Sequence, residues 1–428
     1  MPVALPFQGI RVLELSTAWA GPFCGLNLAH LGAEVIKLEA PTRPDDVRGS
    51  INPAPSATTV YPNAEPGERP WNRTAVFHDR HRSKMGLCLD LTTPRGRELF
   101  KRLTAISDVV LINYRARMME NLGLEYPALK AVNPGIIMVF VPGFGVTGPY
   151  KDYSSFGHNL EALTGASLLT GYPDRGPIAS NLYWPDPLVG IIALGAIATA
   201  IRNRRRTGEG VFIEFSQMEV AIRSLGGFLM DYAMNGRIAQ GTGNRHPTLA
   251  PHGCYRCLGD DQWLTIAVCT DAEWQSLCRV MGTPELALDP RYATVLDRQN
   301  HQDELDRTIE AWTSAQDKMA AMHALQQAGV AAGAVMTNAE HFGDPHLYQR
   351  GFFTEVSHPE VGTYPFPSVN GFRLSKSPPG EMRHAPLFGE HNRYLLQDVL
   401  GMTDEEMSKL QAERIISDRP LADAPRAR

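Results

Sequence analysis

Short apolar runs alternate with helical patterns over the first 150 residues of the chain. The runs that predict strands lie at residues 10–15, 34–38, 108–113 and 136–141. The segments that predict helices lie at residues 22–31, 94–103 and 126–132. Apolar strands separated by helices are typical of a parallel sheet with helices on both faces. Residues 42–70 are rich in Pro, Asn, Ser and Thr and predict a long excursion at the surface.

The middle of the chain predicts more helices and fewer strands. A long apolar helix is expected at residues 186–205, and a later helix runs from Gln217 past Phe228. Segments 254–258 and 262–268 predict a hairpin that turns at Gly259-Asp260-Asp261. The remaining predicted elements are a strand at 212–215, a loop at 235–253, helices at 272–281, 303–313 and 318–328, and a strand-like tail at 331–374.

These patterns predict an α/β fold with a large Rossmann-like parallel-sheet domain and a smaller inserted α+β domain. The strand pattern stops near Val141 and resumes near Ala331, so we expect both ends of the chain in the large domain. We assign residues 1–224 and 331–428 to the large domain and residues 225–330 to the small one. A chain of 428 residues is long enough for two hydrophobic cores.

Composition and charge narrow the possible partners. Hydrophobic residues make up 43% of the chain and the net charge is −5, so we expect no nucleic-acid partner. The longest apolar stretch, residues 188–201, is short for a bilayer crossing. We interpret it as a buried helix with a cationic C-terminal end, in preference to a membrane anchor. Because no basic start and long apolar run open the chain, we expect a cytoplasmic location.

Several common catalytic and metal-binding motifs are missing from the sequence. We find no Walker loop, no GxSxG and no HExxH. Cys254 and Cys257 form a CxxC pair, but a zinc site of this kind needs a second pair. We therefore expect no metal in this protein.

Two segments nevertheless have candidate chemistry. Residues 16–22 join a predicted strand to a helix at the ligand-binding edge of a parallel sheet. Backbone N–H groups at such a helix start bind anions, although an ordinary turn explains the same residues equally well. Asp186 begins the long apolar helix between Pro185 and Pro187, and on local grounds a helix cap is the simpler interpretation.

The order of segments along the chain resembles that of the class III CoA-transferases. This group includes formyl-CoA transferase, carnitine CoA-transferase and the related α-methylacyl-CoA racemases. The opening GIRVLELSTAWAGPFCGLNLAHLGAEVIKLE is similar to their first strand, helix and strand. The later landmarks are SKMGLCLDLTTPRGRELFKRL, DVVLINY, NPGIIMVFVPGFGVTGPY, RRRTGEGVFIEFSQMEV and HAPLFGEHN. No single segment is unique to the family, but the ordered set is specific and runs nearly end to end.

The resemblance implies an enzyme that moves coenzyme A from an acyl-CoA donor to a carboxylic acid acceptor. The family's nucleophilic aspartate corresponds to Asp186. Its carboxylate would attack a thioester, giving a mixed anhydride and then an aspartyl-CoA thioester. Backbone N–H groups of the loops at Gly143 and Gly241 are candidates for stabilising the oxyanions. This chemistry needs no metal and no redox cofactor.

The resemblance also implies a coenzyme A site with altered phosphate contacts. Ala40 and Asn121 stand where formyl-CoA transferase has arginines, and Arg43 is the expected substitute for the first. Lys84 matches a lysine near the CoA phosphates. The expected cofactor-binding residues are Trp19, Ala20, Arg43, Lys84, Asn113, Tyr114, Arg115, Arg117, Gly143 and Phe144. The expected substrate-binding residues are His158, Gly241, Gly243 and Asn244, and the lack of a GGGG loop near Gly241 counts against oxalate as acceptor.

Two other functions stay open at this point. The racemases use an Asp–His pair, for which Asp186 and His158 are the candidates. Aligning the ALTG segment puts the racemase histidine at Phe156 instead, and a two-residue shift on a helix turns a side chain by about 200°. A glycine run follows the racemase aspartate, whereas Pro187 follows here. The other alternative is a non-catalytic CoA-binding protein. The family forms an interlocked homodimer, and we expect the same assembly here.

Overall fold

Six parallel strands form the sheet of the large unit. The computed structural model describes residues 5–54, 60–368, 371–377 and 380–421. The strands are β1 (Arg11–Leu15), β2 (Glu34–Glu39), β3 (Met85–Cys88), β4 (Val109–Ile112), β5 (Ile137–Phe140) and β6 (Val211–Glu214). They lie in the order β3-β2-β1-β4-β5-β6, so the direction of winding reverses between β1 and β4. The predicted α/β class with a parallel sheet is confirmed.

Helices connect these strands and follow them along the chain. Those in the first half are α1 (Ala20–His30), α2 (Ala75–His81), α3 (Pro94–Ala105), α4 (Arg117–Leu122), α5 (Tyr126–Val132), α6 (Gly157–Leu163), α7 (Ala166–Leu169) and α8 (Pro185–Thr207). The later ones are α9 (Gln217–Ser224), α10 (Gly226–Asn235), α11 (Asp271–Met281), α12 (Val295–Asn300), α13 (Gln302–Thr313), α14 (Lys318–Gln327), α15 (Asn338–His341), α16 (Pro345–Gln349), a π-helical segment at Tyr394–Val399 and α17 (Asp404–Ala412).

The two faces of the parallel sheet are covered by different parts of the chain. Leu99 and Leu103 of α3 pack on one face with Leu395 and Leu396 from the C-terminal segment. Helices α1 and α8 cover the other face, where β1, β4 and β5 contribute buried valines and leucines. Both ends of the described chain therefore contribute to the large unit. Burial on both faces explains why the strands have nearly continuous apolar sequences.

Helix α8 is longer than predicted and is buried on one face only. Val189, Ala193 and Ile197 lie in the core beneath it, whereas Ile191 and Ile192 are exposed. The prediction of a buried helix is thus correct for half of its surface. By length and composition the helix is apolar enough to cross a membrane, and 39% of its most apolar window is buried in this fold.

The small unit has a three-stranded antiparallel sheet. Its strands are β7 (His252–Arg256), β8 (Trp263–Ala267) and β9 (Ala331–Ala334), and the predicted hairpin between the first two is confirmed. Trp274, Leu277 and Leu325 of the neighbouring helices fill its core. The remaining hairpin, β10 (Phe353–His358) with β11 (Gly362–Pro367), belongs to the large unit.

The boundaries of the two units differ from the predicted ones. The large unit comprises Met1–Ala166, Ser180–Met234 and Arg350–Arg428, and the small unit comprises Ser167–Ala179 and Asn235–Gln349. Strand β9 pairs with β8, so the strand pattern near Ala331 marks the small sheet rather than a return to the large one. This strand consists of alanine and glycine, a sequence that fits either sheet, so only the strand pairing distinguishes the two.

Candidate active site

The loop after β1 lies at the point where the strand order reverses. In open parallel sheets this edge is the usual ligand site, because loops from both halves diverge there. Asn113, which follows β4, holds this loop with two hydrogen bonds. Its Oδ1 accepts from the Thr17 backbone N at 2.9 Å, and its Nδ2 donates to the Thr17 carbonyl at 2.8 Å. Asn113 is therefore occupied in shaping the loop that contains the expected cofactor residues Trp19 and Ala20.

Five buried ionisable side chains lie beneath this loop. We call them the buried charge network: Glu14, Lys37, Asp45, His81 and Lys84. Lys37 Nζ lies 2.6 Å from Asp45 Oδ2, and Lys84 Nζ lies 2.8 Å from Glu14 Oε2. His81 joins the pairs, with Nδ1 3.2 Å from Lys84 Nζ and Nε2 3.4 Å from Asp45 Oδ2. All five side chains are 0% exposed, so every charge depends on its neighbours.

The network contacts the loop directly. Asp45 Oδ1 accepts hydrogen bonds from Thr17 Oγ1 at 2.9 Å and from the Ala18 backbone N at 3.4 Å. Lys37 Nζ donates to the carbonyl of Ser16. Ala18 has a φ of +62°, a conformation that is costly for a residue with a Cβ. The buried charges thus hold the loop in a shape that its own backbone preferences disfavour.

Burial and pairing set the charge state of each member. Burial raises the pKa of Asp45, but Lys37 and His81 outweigh it and hold this pKa well below its usual range. Burial, aided by Lys84, keeps the pKa of His81 well below its usual range, so its imidazole is neutral at pH 7. Burial lowers the pKa of Lys84 to about 8, against the opposing effect of Glu14.

The placement of Lys84 does not fit the phosphate contact that the family resemblance implies. Its ammonium group is fully buried and donates to Glu14 and to the carbonyl of Pro22 at 2.9 Å. A phosphate could reach it only if these partners moved. The structure instead gives Lys84 a supporting position below the start of α1.

Asp186 lies in the first turn of α8, one residue past its start. The residue before the helix is Trp184, and no side chain caps it. The Asp186 backbone N donates to the Tyr183 carbonyl at 3.0 Å, and its carboxylate is not the N-cap. The simple capping interpretation is therefore wrong. Burial raises the pKa of Asp186 to about 6, and the positive charge of Arg80 opposes this shift.

Two glycines bring other segments close to Asp186. A Cβ on Gly157 would lie 2.4 Å from Tyr183 Cβ and 3.0 Å from Asp186 Oδ2. A Cβ on Gly190, one turn along α8, would lie 2.9 Å from the Ala20 carbonyl oxygen. The second contact places the first turn of α1 against the first turns of α8. The expected nucleophile and the expected cofactor loop are thereby brought together.

Arg80 is a site residue that the sequence analysis missed. It stands in the last turn of α2, and its Nη1 donates to the Ala18 carbonyl at 2.7 Å. Its guanidinium lies over the ring of Trp19, 4.6 Å from the centroid. The only local signal is the basic run His78-Asp79-Arg80-His81-Arg82, which does not distinguish its members. Their different environments appear only once α2 packs against the loop after β1.

The expected phosphate-binding arginines are exposed. Arg43 lies just past β2, and its backbone N donates to Ala40 at 3.0 Å. Arg115 and Arg117 follow β4, and Arg117 Nε lies 3.0 Å from Asp152 Oδ1. Tyr114, between β4 and these arginines, is half-buried, and burial raises its pKa to about 12. These residues share the carboxyl edge of the sheet with the loop after β1.

The loop after β5 contains Gly143 and Phe144. A Cβ on Gly143 would collide with Ser155 Oγ, so this position needs glycine. Phe144 is buried, and its ring makes edge contacts with Tyr150 and Tyr153 at 6.0 and 6.1 Å. Residues 143–148 have the spacing GxGxxG, but α6 begins only at Gly157. The turn therefore does not open a helix as a dinucleotide-binding loop would.

His158 lies on the exposed surface beside Tyr183, with ring centroids 6.3 Å apart. Helix α6 begins at Gly157, so Phe156 precedes it with an extended backbone. The rings of Phe156 and His158 lie side by side at 6.4 Å, nearly parallel. The predicted opposite orientation of these two positions is wrong, because the helical rotation does not apply to Phe156.

Gly241, Gly243 and Asn244 belong to the small unit. The backbone N of Gly241 donates to Leu168 at 2.9 Å, and that of Gly243 donates to Gly171 at 2.8 Å. Asn244 Nδ2 donates to the Tyr172 hydroxyl at 2.9 Å. These N–H groups are occupied within the unit, so Gly241 is not a free oxyanion donor in this structure. Within the described ranges, no group of three His, Cys, Asp or Glu is arranged to hold a metal.

Comparison with known proteins assigns the chain to a family. Residues 7–392 match CoA-transferase family III. The chain is 37% identical to the succinyl-CoA–D-citramalate CoA-transferase of Chloroflexus aurantiacus, over 96% of this chain and 98% of that protein. It is 32% identical to the succinate–glutarate CoA-transferase of Agrobacterium fabrum, over 92% and 96%. The crystal structure of a CAIB/BAIF family protein from Brucella suis matches with a TM-score of 0.81 at 31% identity, covering 92% of this chain and 100% of that one.

Proposed function

The chain belongs to CoA-transferase family III, and from this premise we propose that it transfers coenzyme A between two carboxylic acids through a covalent intermediate on Asp186. The family assignment confirms the resemblance read from the sequence, and coenzyme A is the cosubstrate that it implies. The aspartyl intermediate and the individual binding residues are our own proposals.

The proposed reaction needs an ionised carboxylate and no proton transfer. Asp186 attacks the thioester carbonyl of the acyl-CoA, the C–S bond breaks, and a mixed anhydride and CoA thiolate result. The thiolate then attacks the aspartyl carbonyl and releases the donor acid as a carboxylate. The acceptor carboxylate attacks the aspartyl-CoA thioester, and a second exchange through an anhydride forms the new acyl-CoA. Asp186 is thereby regenerated.

The single observation that supports this role is the environment of Asp186. It is a half-buried carboxylate with a raised pKa, beside the loop where the strand order reverses. A carboxylate without an ion pair keeps its electron pairs available for attack, and partial desolvation makes it a stronger nucleophile. In the proposed complex, Trp19 and Ala20 line the CoA arm, and Arg43, Arg115 and Arg117 face the phosphates. Asn113 and Lys84 hold the loop in shape.

The decisive experiment traps the intermediate. The protein is incubated with succinyl-CoA and then with hydroxylamine, which converts an aspartyl thioester or anhydride into a hydroxamate. Peptide mass spectrometry should find this modification on Asp186. The Asp186→Asn variant is the matched control, because it keeps the size of the side chain and should stay unmodified. Modification at another residue, or none in the wild type, would contradict the proposal.

The same assay separates the alternatives. A racemase would exchange the α-proton of a 2-methylacyl-CoA in deuterated water and give no hydroxamate. A non-catalytic binding protein would show neither reaction. His158 lies beside Tyr183, whose carbonyl accepts the hydrogen bond from the Asp186 backbone N. We therefore keep His158 as a proposed substrate contact that takes no part in the transfer itself.

We also propose that the protein is an interlocked homodimer. Helix α10 has no buried residue among those described, although its sequence is largely apolar. Phe228, Leu229 and Met230 are about half exposed at 48%, 53% and 57%, a pattern that favours burial by a second chain. Light scattering over a dilution series should show a dimer down to nanomolar concentration. A stable folded monomer would contradict this assembly. A cytoplasmic location stays a prediction from the sequence.

A further inference from the structure

Arg80 is a half-buried cation with no carboxylate at ion-pair distance among the described residues, although the charges of Asp79, Asp186 and Asp45 act on it. Its guanidinium forms no ion pair with a carboxylate in the part of the chain that the structure describes, and it donates a hydrogen bond to the Ala18 carbonyl. An arginine has five N–H donors, so most of the donors of Arg80 have no acceptor among the residues that the structure describes. Burial also lowers its pKa, which means that the surroundings disfavour the charge. Such a group gains most from a bound anion.

The neighbours of Arg80 fix its direction. The ring of Trp19 lies under the guanidinium at 4.6 Å, and the hydrogen bond to Ala18 holds its edge at 2.7 Å. The other large basic side chains of this region differ: Lys37 and Lys84 are fully buried and paired. Arg80 is thus a cation that is held in one direction beside this loop and still has donors available for an anion.

Arg80 also lies near the proposed reacting atom. The start of α1 touches α8 at Gly190, one turn from Asp186, and the charge of Arg80 acts on Asp186. In an acyl-CoA, the long pantetheine arm separates the phosphates from the thioester. When the thioester carbonyl is at Asp186, a cation at this position meets the acyl group and not the nucleotide.

We propose that Arg80 binds the distal carboxylate of a dicarboxylic acyl group, so that this enzyme selects dicarboxylic over monocarboxylic acids. This inference rests on the proposed role of Asp186. Arginine suits the task because its planar fork matches a carboxylate with two parallel hydrogen bonds. A monocarboxylic substrate would leave the desolvated cation without a partner, which is how a polar site rejects an apolar analogue.

The test compares succinate with butyrate as acceptors, with acetyl-CoA as donor, at pH 8.5. At this pH Asp186 is ionised in both the wild type and the variants, since its pKa is about 6. Arg80→Gln should lower kcat/KM for succinate by about 10- to 100-fold and leave butyrate within about threefold. Arg80→Lys, which keeps the charge and loses the fork, should give an intermediate loss with succinate.

A matched control is Arg95→Gln in the first turn of α3, where the partly exposed Arg95 forms ion pairs with Glu98 and Glu406. This substitution should leave kcat/KM unchanged for both succinate and butyrate. Circular dichroism and the melting temperature of each variant show whether it folds.

Three outcomes would overturn the inference. Equal losses with succinate and butyrate would mean that Arg80 acts through Asp186. A weaker affinity for free CoA would assign Arg80 to the cofactor. An unchanged ratio of kcat/KM for succinate to kcat/KM for butyrate would mean that Arg80 does not recognise the acceptor acid. The proposed function is judged separately by the hydroxamate that forms on Asp186 of the wild type with succinyl-CoA, a result that does not depend on which acceptor acid is preferred.

Discussion

Asp45 and Asp186 are two partly or fully buried aspartates in neighbouring parts of the large unit, and their environments act in opposite directions. Asp45 belongs to the buried charge network, 2.6 Å from Lys37, and its pKa is held well below the usual range. Asp186 has no ion pair among the described residues, and burial raises its pKa to about 6. Desolvation acts on both, so the difference lies in the partners.

We propose that this difference separates a structural carboxylate from a reactive one. A paired, hydrogen-bonded carboxylate is stabilised as an anion and is a poor nucleophile. An unpaired, desolvated carboxylate is less stable as an anion and more reactive. In the proposed function, the buried charge network holds the loop after β1 in place, and the first turn of α8 presents the carboxylate that forms the covalent bond. Substitutions in each region should affect different measurements.

The largest expected effect is on turnover. Asp186→Asn should reduce CoA transfer to below about 1% of the wild type, because an amide cannot form the acyl intermediate. In the folded wild type the pKa of the Asp186 carboxyl is raised, so ionisation of this carboxyl destabilises the fold. The loss of stability increases as pH rises from about 4 to about 6. The variant should therefore be at least as stable as the wild type at pH 8. A turnover assay measures the loss of activity, and urea unfolding of both proteins at pH 4 and pH 8 measures their stability. A variant that is markedly less stable than the wild type at pH 8 would contradict this interpretation.

Asp45→Asn should show the opposite behaviour. Removing one member of a buried pair leaves Lys37 uncompensated, which costs about 3–5 kcal/mol in free energy of unfolding. Residual turnover should track the fraction of folded protein. The comparison is Asp303→Asn, an exposed partner of Arg245, which should leave the free energy of unfolding nearly unchanged because water screens an exposed ion pair. Equal changes in the free energy of unfolding for Asp45→Asn and Asp303→Asn would contradict a structural role of the buried charge network.

The pH dependence of activity sharpens the comparison further. Only ionised Asp186 can attack, so kcat/KM should rise with pH and level off above about 6, near the pKa of this group. Below that value it should fall about tenfold per pH unit. Asp45, whose pKa lies well below its usual range, should contribute nothing to this limb. A flat profile between pH 5 and pH 7 would assign the reactive carboxylate elsewhere.

The smallest expected effects come from two glycines of α8. Gly190→Ala would press a methyl group against the Ala20 carbonyl at 2.9 Å and should cost about 1–3 kcal/mol, with a loss of activity. Nothing lies within 4 Å of a Cβ at Gly195, which is exposed within the same helix. Gly195→Ala should stabilise by about 0.5–1 kcal/mol and leave activity unchanged. Melting curves of both variants test whether the close contact with α1 is what matters.

Much of the fold follows from local patterns. Buried parallel strands need continuous apolar sequence, so β1 and β5 could be predicted within a residue or two, whereas the short β3 was missed. The long helix could be predicted from its apolar length. Asp186 became the proposed nucleophile only through the family resemblance, because the local residues alone favoured a helix cap. The reason is that chemistry depends on what surrounds a side chain, and a single segment does not reveal its surroundings.

The tertiary structure decided which charged residues are structural and which are available. Lys84 and Arg80 lie four positions apart, and nothing in their local sequence distinguishes them. Packing of α2 against the loop after β1 buries one beside Glu14, 70 residues away, and stacks the other on Trp19. Likewise, β9 joins β8 and not the large sheet. The sequence by itself determined the periodic elements, since each depends on neighbours along the chain. Burial and pairing depend on residues brought together from distant segments, and the low polarity of the interior makes these contacts decisive.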